Sequence, residues 1–354
     1  MKSLGNFPDS FIAEIAGQPD ALRRAAEALD AQAATLGRIA EVVADRTPVL
    51  TGMGASYDAC YPLASELARR SRIAPMLDAA ELLHFRSGIL GPDTVVIAVS
   101  QSGSSAEVVR LAERVVGRGV ALVAVTNGPD NPLARLATLA LDTGAGEETG
   151  PSSMTFAASL VVLAAIGALV AGEGPRVALA RVGSDAEAAA SAIERILADA
   201  SLEDELVAWS DEREVIVLLG RGPARAATEM GALTMKEAAG LQAESFETAQ
   251  FRHGPLELAG PGLAAVIVAT EPETENLDIG LARELAEVGA AVLIVMRSGD
   301  PIAGTVGVRI GEVDRTLAPA ASLVPIQLLA RRLAMLRGRD PGTYLRATKV
   351  TSRE

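Results

Sequence analysis

Short apolar runs alternate along this chain with longer segments in which apolar residues recur every three or four positions. The runs are typical of strands buried on both faces, and the longer segments are typical of amphipathic helices. We predict strands at residues 49–51, 95–99, 121–126, near 142, 215–219, 265–269, 291–295 and 306–310. Because these strands alternate with helical segments, the pattern predicts an α/β fold with parallel sheets covered by helices on both faces.

Two segments without strand patterns are predicted to be purely helical. In residues 10–44 the apolar spacing breaks once, at Gln18-Pro19. Proline is tolerated in the first turn of a helix, so the break predicts a short helix followed by a longer one. Residues 171–206 are helical and charged, and we predict that they form a connecting helix pair.

The two halves of the chain repeat the same order of elements. VLTGMGASYDACYPLASEL, which begins at Val49, resembles VLLGRGPARAATEMGALTM, which begins at Val217. We therefore predict a duplicated α/β domain. The predicted boundaries are N-terminal helices at 1–45, a first domain at 46–172, connecting helices at 173–206, a second domain at 207–338 and a C-terminal tail at 339–354.

The strand at residues 95–99 runs directly into a serine turn, residues 100–105, which reads SQSGSS. A helical pattern begins at Ala106, so four hydroxyl groups lie where free backbone N–H groups and the positive end of the helix dipole converge. This arrangement holds a phosphate without a basic side chain. A serine-rich helix cap without a ligand remains the alternative. In the second half the sequence TEPET, residues 270–274, replaces the serine turn, so we expect only the first half to bind phosphate.

A glycine turn, residues 52–56, also follows a strand and ends in Ser56. A dinucleotide-binding fingerprint has the pattern G-x-G-x-x-G after a strand. Tyr57 stands at the position of the third glycine, which argues against a dinucleotide cofactor.

Composition argues against several other classes of protein. The formal net charge of −13 disfavours nucleic acid as a partner, because phosphate backbones recruit basic surfaces. Cys60 is the only cysteine and the two histidines are far apart, so we predict neither a disulfide nor a metal site. The apolar run at 157–170 is shorter than a membrane span, and the chain start lacks the apolar core of a signal peptide. We therefore expect a cytoplasmic protein without membrane contact.

Candidate catalytic side chains lie in the second half. The predicted helix at 224–243 contains Lys236-Glu237, and His253 precedes Gly-Pro in the irregular stretch that follows. Histidine moves protons near neutral pH, and a tight turn favours its exposure. A structural role for His253 in its turn and a position on a solvated helix face for Glu237 remain alternatives. The nearby Glu244 and Glu247 make Glu237 less distinctive.

Eight short motifs follow one another in a characteristic order: EIAGQP from Glu14, TGMGAS, SQSGSS, EETGPSSM, GRG, KEAAGLQAESF, FRHGPLE and the terminal KVT. In this order they resemble proteins with two sugar-isomerase (SIS) domains, in particular the isomerase half of glucosamine-6-phosphate synthase and the related sugar-phosphate deaminases and deglycases. The resemblance covers nearly the whole chain. It implies two duplicated SIS domains, each a doubly wound parallel sheet in a flavodoxin-like three-layer α/β/α sandwich, and no cofactor.

The resemblance also implies roles for individual residues. Those expected to hold the sugar phosphate are Ser56, Ser100, Gln101, Ser102 and Ser105, and those expected to contact the sugar are Gly54, Glu148 and Ser153. Glu237 is implied as the base that moves a proton between C1 and C2, with Glu148 as the next candidate. His253 is implied to assist ring opening from the partner subunit, hence a homodimer with a shared active site. Lys349 is the candidate for the imine-forming lysine, although its polar surroundings also fit a disordered tail.

Three positions depart from the pattern of the synthase. Thr234 replaces a lysine three residues before the catalytic glutamate, and Gln250 replaces a glutamate three residues before the histidine. The tail reads Lys349-Val350-Thr351 instead of Lys-Ser-Val-Thr, which is closer to the deaminase-like branch. The sequence also shows no glutaminase domain, so we expect no production of ammonia from glutamine.

Three hypotheses about function remain. The first is a phosphosugar isomerase and deaminase that acts on an amino-sugar 6-phosphate such as glucosamine 6-phosphate. The second is a deglycase that hydrolyses a fructosamine-type adduct of a sugar 6-phosphate with the same base. The third is a non-catalytic sugar-phosphate-binding sensor, which the acidic charge and the presence of both Glu237 and His253 disfavour.

Overall fold

The computed structural model describes residues 9–210, 213 and 215–353, which form two compact units, each built around one parallel sheet. The first-sheet unit comprises residues 20–148, 153–187 and 346–353, and the second-sheet unit comprises 9–19, 149–152 and 188–345. The first eight residues, on which the signal-peptide prediction depends, lie outside the described residues.

The strands and helices alternate through most of the chain. The strands are β1 (Thr47–Gly52), β2 (Met76–Asp78), β3 (Thr94–Val99), β4 (Ala121–Thr126), β5 (Leu139–Asp142), β6 (Val215–Gly220), β7 (Ala243–Glu247), β8 (Leu263–Ala269), β9 (Ala291–Met296) and β10 (Thr305–Arg309). The helices are α1 (Ser10–Ala16), α2 (Gln18–Ala31), α3 (Ala33–Ala44), α4 (Ala55–Asp58), α5 (Tyr61–Arg69), α6 (Ala79–His84), α7 (Ala106–Gly117), α8 (Pro132–Leu136), α9 (Met154–Val170), α10 (Pro175–Leu197), α11 (Leu202–Ser210), α12 (Arg225–Ala239), α13 (Thr248–Phe251), α14 (Glu275–Glu287) and α15 (Ala318–Leu336).

The first sheet has the strand order β2-β1-β3-β4-β5, and all its strands are parallel. β1, β3 and β4 are buried along nearly their whole length because helices cover both faces of the sheet. Apolar residues of the sheet and of α6 and α7 form one core cluster, which includes Val96, Leu111, Val115 and Leu122. α9 is apolar on all sides and correspondingly buried over nearly its whole length.

The second sheet has the order β10-β9-β8-β6-β7, again with parallel strands. Read from its other edge, the order is β7-β6-β8-β9-β10. The two sheets therefore have the same topology, in which β6 to β10 of the second sheet correspond in chain order to β1 to β5 of the first. Its core cluster includes Val217, Ile267, Leu281 and Ile294. The prediction of two duplicated, doubly wound parallel α/β sheets is confirmed.

The N-terminal region contains three helices where the sequence predicted two, because the chain also breaks between α2 and α3. Gln32 lies at this break, and its side-chain amide pairs with the backbone of Asp142 on the edge strand β5. The two bonds, of 2.9 and 2.8 Å, extend the sheet edge as a further strand would.

Two strands, β2 and β7, were missed in the sequence because both are short edge strands with polar residues. An edge strand has fewer neighbours to bury its side chains, so it shows no continuous apolar run. The predicted helix at 224–243 also ends earlier, at Ala239, because Gly240 adopts a left-handed conformation with φ of 62° and closes the helix.

Candidate active site

The polar turns of the first-sheet unit meet at the carboxyl ends of β1 and β3, which are neighbours in the sheet. The connection from β1 leads outward to β2 on one side, and the connection from β3 leads to β4 on the other. This reversal creates a crevice at the carboxyl ends of the two strands, where doubly wound proteins bind their ligands. The glycine turn follows β1 and the serine turn follows β3, so both lie at this switch point.

Backbone hydrogen bonds fix the serine turn against the next strand connection. The Ser100 N–H donates to the Val125 carbonyl at 3.0 Å, and the Asn127 N–H donates to the Gln101 carbonyl at 3.0 Å. Ser100 is buried, whereas Gln101 is only partly buried. The turn therefore has a defined shape before any ligand binds.

Gly103 is required at the bend of the serine turn. Its φ is +57°, and a Cβ atom there would overlap the side-chain amide of Asn131, which caps α8. The Gly103 carbonyl also accepts from the Leu133 N–H at 3.0 Å. Sequence analysis did not single out Asn131, although Asn-Pro at the start of a helical pattern is a recognisable capping signal.

The hydroxyl groups of the serine turn are not consumed in capping α7. Ser105 is the N-cap residue, and its side chain makes no capping hydrogen bond. The Ser102 hydroxyl accepts from the Ser104 N–H at 3.2 Å, and the Ser104 hydroxyl donates to the Ser102 carbonyl at 3.1 Å. The N-terminal amide of the helix, that of Ala106, donates to the Thr351 carbonyl at 3.1 Å. The Ser105 hydroxyl is therefore not used as a helix cap, and the ligand-binding interpretation of the serine turn stays a prediction.

The glycine turn is tightly wound. A Cβ atom on Gly52 would lie 2.8 Å from the Tyr57 nitrogen, and Gly54 has a positive φ of 52° at the start of α4. The Ser56 N–H donates to the Met53 carbonyl at 3.2 Å, and the Ser56 side chain is half-buried. Glycine at 52 and 54 thus lets the chain turn closely enough to keep Ser56 at the switch point.

Cys60 lies beneath this turn and is fully buried. Its thiol donates to the Ser56 carbonyl at 3.5 Å. Burial, with a smaller contribution from the negative charge of Asp58, raises the pKa of the thiol far above its ordinary value. A thiol without thiolate character is a poor nucleophile, so Cys60 has a packing role.

Glu148 joins two further predicted residues, Ser153 and Lys349, in the first-sheet unit. Its Oε1 accepts from the Ser153 N–H at 2.8 Å, the Ser153 hydroxyl at 3.1 Å and the Thr155 N–H at 3.1 Å. Its Oε2 accepts from the Thr155 hydroxyl and from the Lys349 Nζ, both at 2.6 Å. The carboxylate therefore caps the N-terminus of α9 and binds the lysine. Sequence analysis missed Thr155, whose hydroxyl two positions after Ser153 was a signal that was available.

Glu237 and His253 lie in the second-sheet unit. Glu237 is in the last turn of α12 and half-buried, and its carbonyl accepts from the Arg339 guanidinium at 2.7 Å. His253 is exposed in the turn after α13, as the Gly-Pro sequence predicted, and its N–H donates to the Gln250 carbonyl at 3.0 Å. Arg339, which sequence analysis missed, thus holds the end of the helix that carries Glu237.

Thr234 is buried, and its hydroxyl donates to the Met230 carbonyl one turn earlier in the same helix at 2.9 Å. The position where the synthase has a lysine therefore supplies only a hydroxyl that is bonded to its own helix. Lys236 is exposed.

The corresponding edge of the second sheet is filled by ion pairs. Arg221, which follows β6, lies 2.8 Å from buried Asp278 and 3.4 Å from Glu247 at the end of β7. Arg315 lies 2.9 Å from Glu273, in the segment that replaces the serine turn. Burial raises the pKa of Asp278, and the hydrogen bond and charge of Arg221 oppose that rise. Arg221 and Arg315 are therefore both paired with carboxylates of the same unit, and the expectation that only the first half binds phosphate stays a prediction.

Neither a metal-binding cluster nor a membrane-spanning helix is found among the described residues. Within the described ranges, no group of three or more His, Cys, Asp or Glu side chains could hold a metal ion. None of the helices described here combines the length and the apolar composition of a membrane span.

The fold and these turns define a duplicated, doubly wound α/β protein with a hydroxyl-rich crevice in its first copy. The SIS domain family matches the chain twice, at residues 44–171 and 210–337, and the chain belongs to that family.

Known relatives share nearly the whole chain. The isomerizing glutamine–fructose-6-phosphate aminotransferase of Pyrobaculum aerophilum is 30% identical over an alignment 356 residues long. The alignment covers 96% of this chain and 57% of that protein, so the chain spans little more than half the length of this relative. The C-terminal domain of glucosamine-fructose-6-phosphate aminotransferase from Francisella tularensis has a TM-score of 0.83 at 21% identity and covers 95% of this chain and 98% of that domain. Glucosamine-6-phosphate deaminase from Thermotoga maritima has a TM-score of 0.73 at 21% identity, with coverages of 96% and 98%. The two structures establish the shared fold.

Proposed function

We propose that this chain is a phosphosugar isomerase and deaminase that converts an amino-sugar 6-phosphate, of the glucosamine 6-phosphate type, into a ketose 6-phosphate and ammonia. The observation that carries the proposal is the serine turn at the β1/β3 switch point, with hydroxyls that are not used to cap α7. The names of the aminotransferase and deaminase relatives support an amino sugar as the substrate.

The proposed phosphate site uses hydroxyl and amide groups instead of cations. The residues assigned to it are Ser56, Ser100, Gln101, Ser102 and Ser105. A hydrogen bond to a charged group contributes about 1.5–3 kcal/mol, so a few such bonds bind a phosphate dianion at a helix N-terminus. Gly54 and Ser153 are assigned to the sugar that extends from this phosphate.

The proposed chemistry is a proton shift followed by hydrolysis. After His253 has assisted ring opening, Glu237 removes the proton from C2 of the open-chain amino aldose and returns it to C1. The product is a C2 imine, to which water adds. Loss of ammonia then leaves the C2 ketone, so one substrate and one water give one ketose phosphate and one ammonia. Lys349 is assigned to the carbonyl end of the open-chain sugar: its amino group forms an imine there with loss of water, and hydrolysis of that imine restores the aldehyde and frees the lysine before the proton shift.

A deglycase is the second candidate function. In that reaction the same base moves a proton from C1 to C2 of a fructosamine-type 6-phosphate, and hydrolysis of the C1 imine releases an amine and an aldose phosphate. Thr234 favours this candidate, because the lysine of the aminating synthase is replaced by a side chain bonded to its own helix.

A substrate panel tests the proposed function. We expect glucosamine 6-phosphate to yield ammonia and fructose 6-phosphate in equal amounts, measured by coupled assays. Release of an amine and glucose 6-phosphate from fructosamine-type adducts, without deamination of glucosamine 6-phosphate, would instead identify a deglycase. Binding of these sugar phosphates without any turnover would identify a sensor.

The proposed homodimer places His253 of one protomer at the site of its partner. Glu237→Gln and His253→Ala proteins should each be inactive, but a mixed dimer would contain one site with both groups intact. After random subunit exchange we expect about a quarter of wild-type activity, because about half of the dimers are mixed and each has one working site. Absence of recovery, with exchange verified by a mass-tagged subunit, would place both groups in one chain.

A further inference from the structure

Glu148 is a carboxylate removed from solvent and surrounded by donors. Its side chain is 0% exposed, and the groups that donate to it are two backbone N–H groups, two hydroxyls and the ammonium of Lys349. A buried carboxylate is costly unless it is hydrogen-bonded and paired with a cation. The helix amides of α9 meet the first condition, and Lys349 meets the second.

The lysine that satisfies this carboxylate lies 201 residues further along the chain. It belongs to the segment at residues 346–353, which forms neither helix nor strand. The contacts that attach this segment to the first-sheet unit include the Lys349–Glu148 pair and the bond from the Ala106 N–H to the Thr351 carbonyl. A long, flexible ammonium side chain pays rotamer entropy when it is fixed in one place, so its fixed position needs a strong partner.

We infer that Glu148 is a positioning residue, which fixes the amino group of Lys349 beside Ser153 through the carboxylate that also caps α9. This differs from the sugar-contacting role and the alternative base role considered for Glu148 from the sequence. A carboxylate that already accepts from five donors would have to give up some of them to bind a sugar or to take a proton.

The consequence for catalysis rests on the proposed function, in which Lys349 acts at the carbonyl end of the sugar. Ser153 and Lys349 share one carboxylate, so the residue assigned to the sugar and the residue assigned to its carbonyl are held in a fixed relation. Misplacing a reacting amine slows a reaction even when binding is intact. Loss of Glu148 should therefore lower kcat much more than it raises KM for the sugar phosphate.

The sequence makes the pairing itself easy to measure without any substrate. Lys2, Lys236 and Lys349 are the only lysines in the chain, and Lys236 is exposed. Limited acetylation with acetic anhydride, followed by peptide mass spectrometry, gives the labelling rate of Lys349 relative to Lys236. In the folded wild-type protein we expect this ratio to be low, and in urea we expect it to approach one.

Glu148→Gln should raise the Lys349 to Lys236 ratio by roughly 10- to 100-fold, the equivalent of losing one charge-assisted hydrogen bond. Glu147→Gln is the matched control, because Glu147 is the exposed neighbour of Glu148 and its replacement should leave the ratio unchanged. Thr155→Val removes one hydroxyl from the cluster but keeps the charge, so its ratio should stay near that of the wild type.

Several outcomes would overturn the inference. One is a Lys349 to Lys236 labelling ratio that is unchanged in folded Glu148→Gln. Another is a rise of that ratio in Glu147→Gln or Thr155→Val as large as the rise in Glu148→Gln. The last is a wild-type ratio that is the same in the folded protein and in urea. The last measurement needs no variant, so it can overturn the inference even if Glu148→Gln does not fold. A panel without turnover would refute the proposed function but leave the labelling result intact, so the two failures are distinguishable.

Discussion

Replacing Glu237 with glutamine is expected to abolish proton transfer while leaving sugar-phosphate binding nearly intact. General-base catalysis contributes about 10²- to 10⁴-fold to the rate, and the amide of glutamine cannot accept the proton. The loss should fall on kcat, since the missing interaction is made only in the transition state. Turnover and exchange of solvent deuterium at the substrate carbon measure the effect, and calorimetry measures binding.

Glu244→Gln is the matched control for this experiment, because Glu244 is an exposed carboxylate shortly after α12. It should retain wild-type exchange. His253→Ala should separate ring opening from proton transfer, with a larger loss on the cyclic sugar than on an open-chain analogue. Persistent deuterium exchange in Glu237→Gln would show that another group is the base.

The double variant Ser100→Ala, Ser102→Ala is expected to weaken sugar-phosphate binding by about 3–6 kcal/mol, or roughly 10²- to 10⁴-fold. Each serine is proposed to donate one hydrogen bond to the charged phosphate. The fold should survive, because the Ser100 N–H that bonds to Val125 is a backbone group that alanine keeps. Calorimetric titration with fructose 6-phosphate measures the loss.

Ser104→Ala is the control in the same turn, since the Ser104 hydroxyl is bonded to the Ser102 carbonyl. It should bind the sugar phosphate with nearly wild-type affinity. Affinity that is unchanged in the double variant would mean that the phosphate binds away from the serine turn. Equal losses in the control and the double variant would point to distortion of the turn.

The parts of the fold that could be predicted from the sequence are those in which a local pattern has a single physical meaning. Central strands such as β3 and β8 are buried on both faces, so their apolar runs identified them. The edge strand β7 reads AESFE and is identified only by its pairing with β6. The helix break at Gln32 likewise depends on a partner, Asp142, more than a hundred residues away.

The same distinction applies to the candidate site. The serine turn and the exposed turn of His253 are local, so residue type and spacing were sufficient to propose them. The pairing of Glu148 with Lys349 joins two polar loops, and no periodicity relates positions that are 201 residues apart. Arg339 at the end of α12 is equally non-local, since its partner is a backbone carbonyl that any residue at 237 would supply.

The ion pairs at the edge of the second sheet have a consequence for how duplicated domains diverge. A phosphate site of the proposed kind needs hydroxyls that can still donate to a ligand, and the Ser105 side chain makes no capping hydrogen bond to α7. In the second-sheet unit, Arg221 at the matching strand end is paired with Asp278, so its guanidinium is bonded within the protein. Under the proposed function, the serine turn of the first copy recognises the phosphate and the second copy supplies Glu237 and His253, so the duplicated domains divide recognition and chemistry.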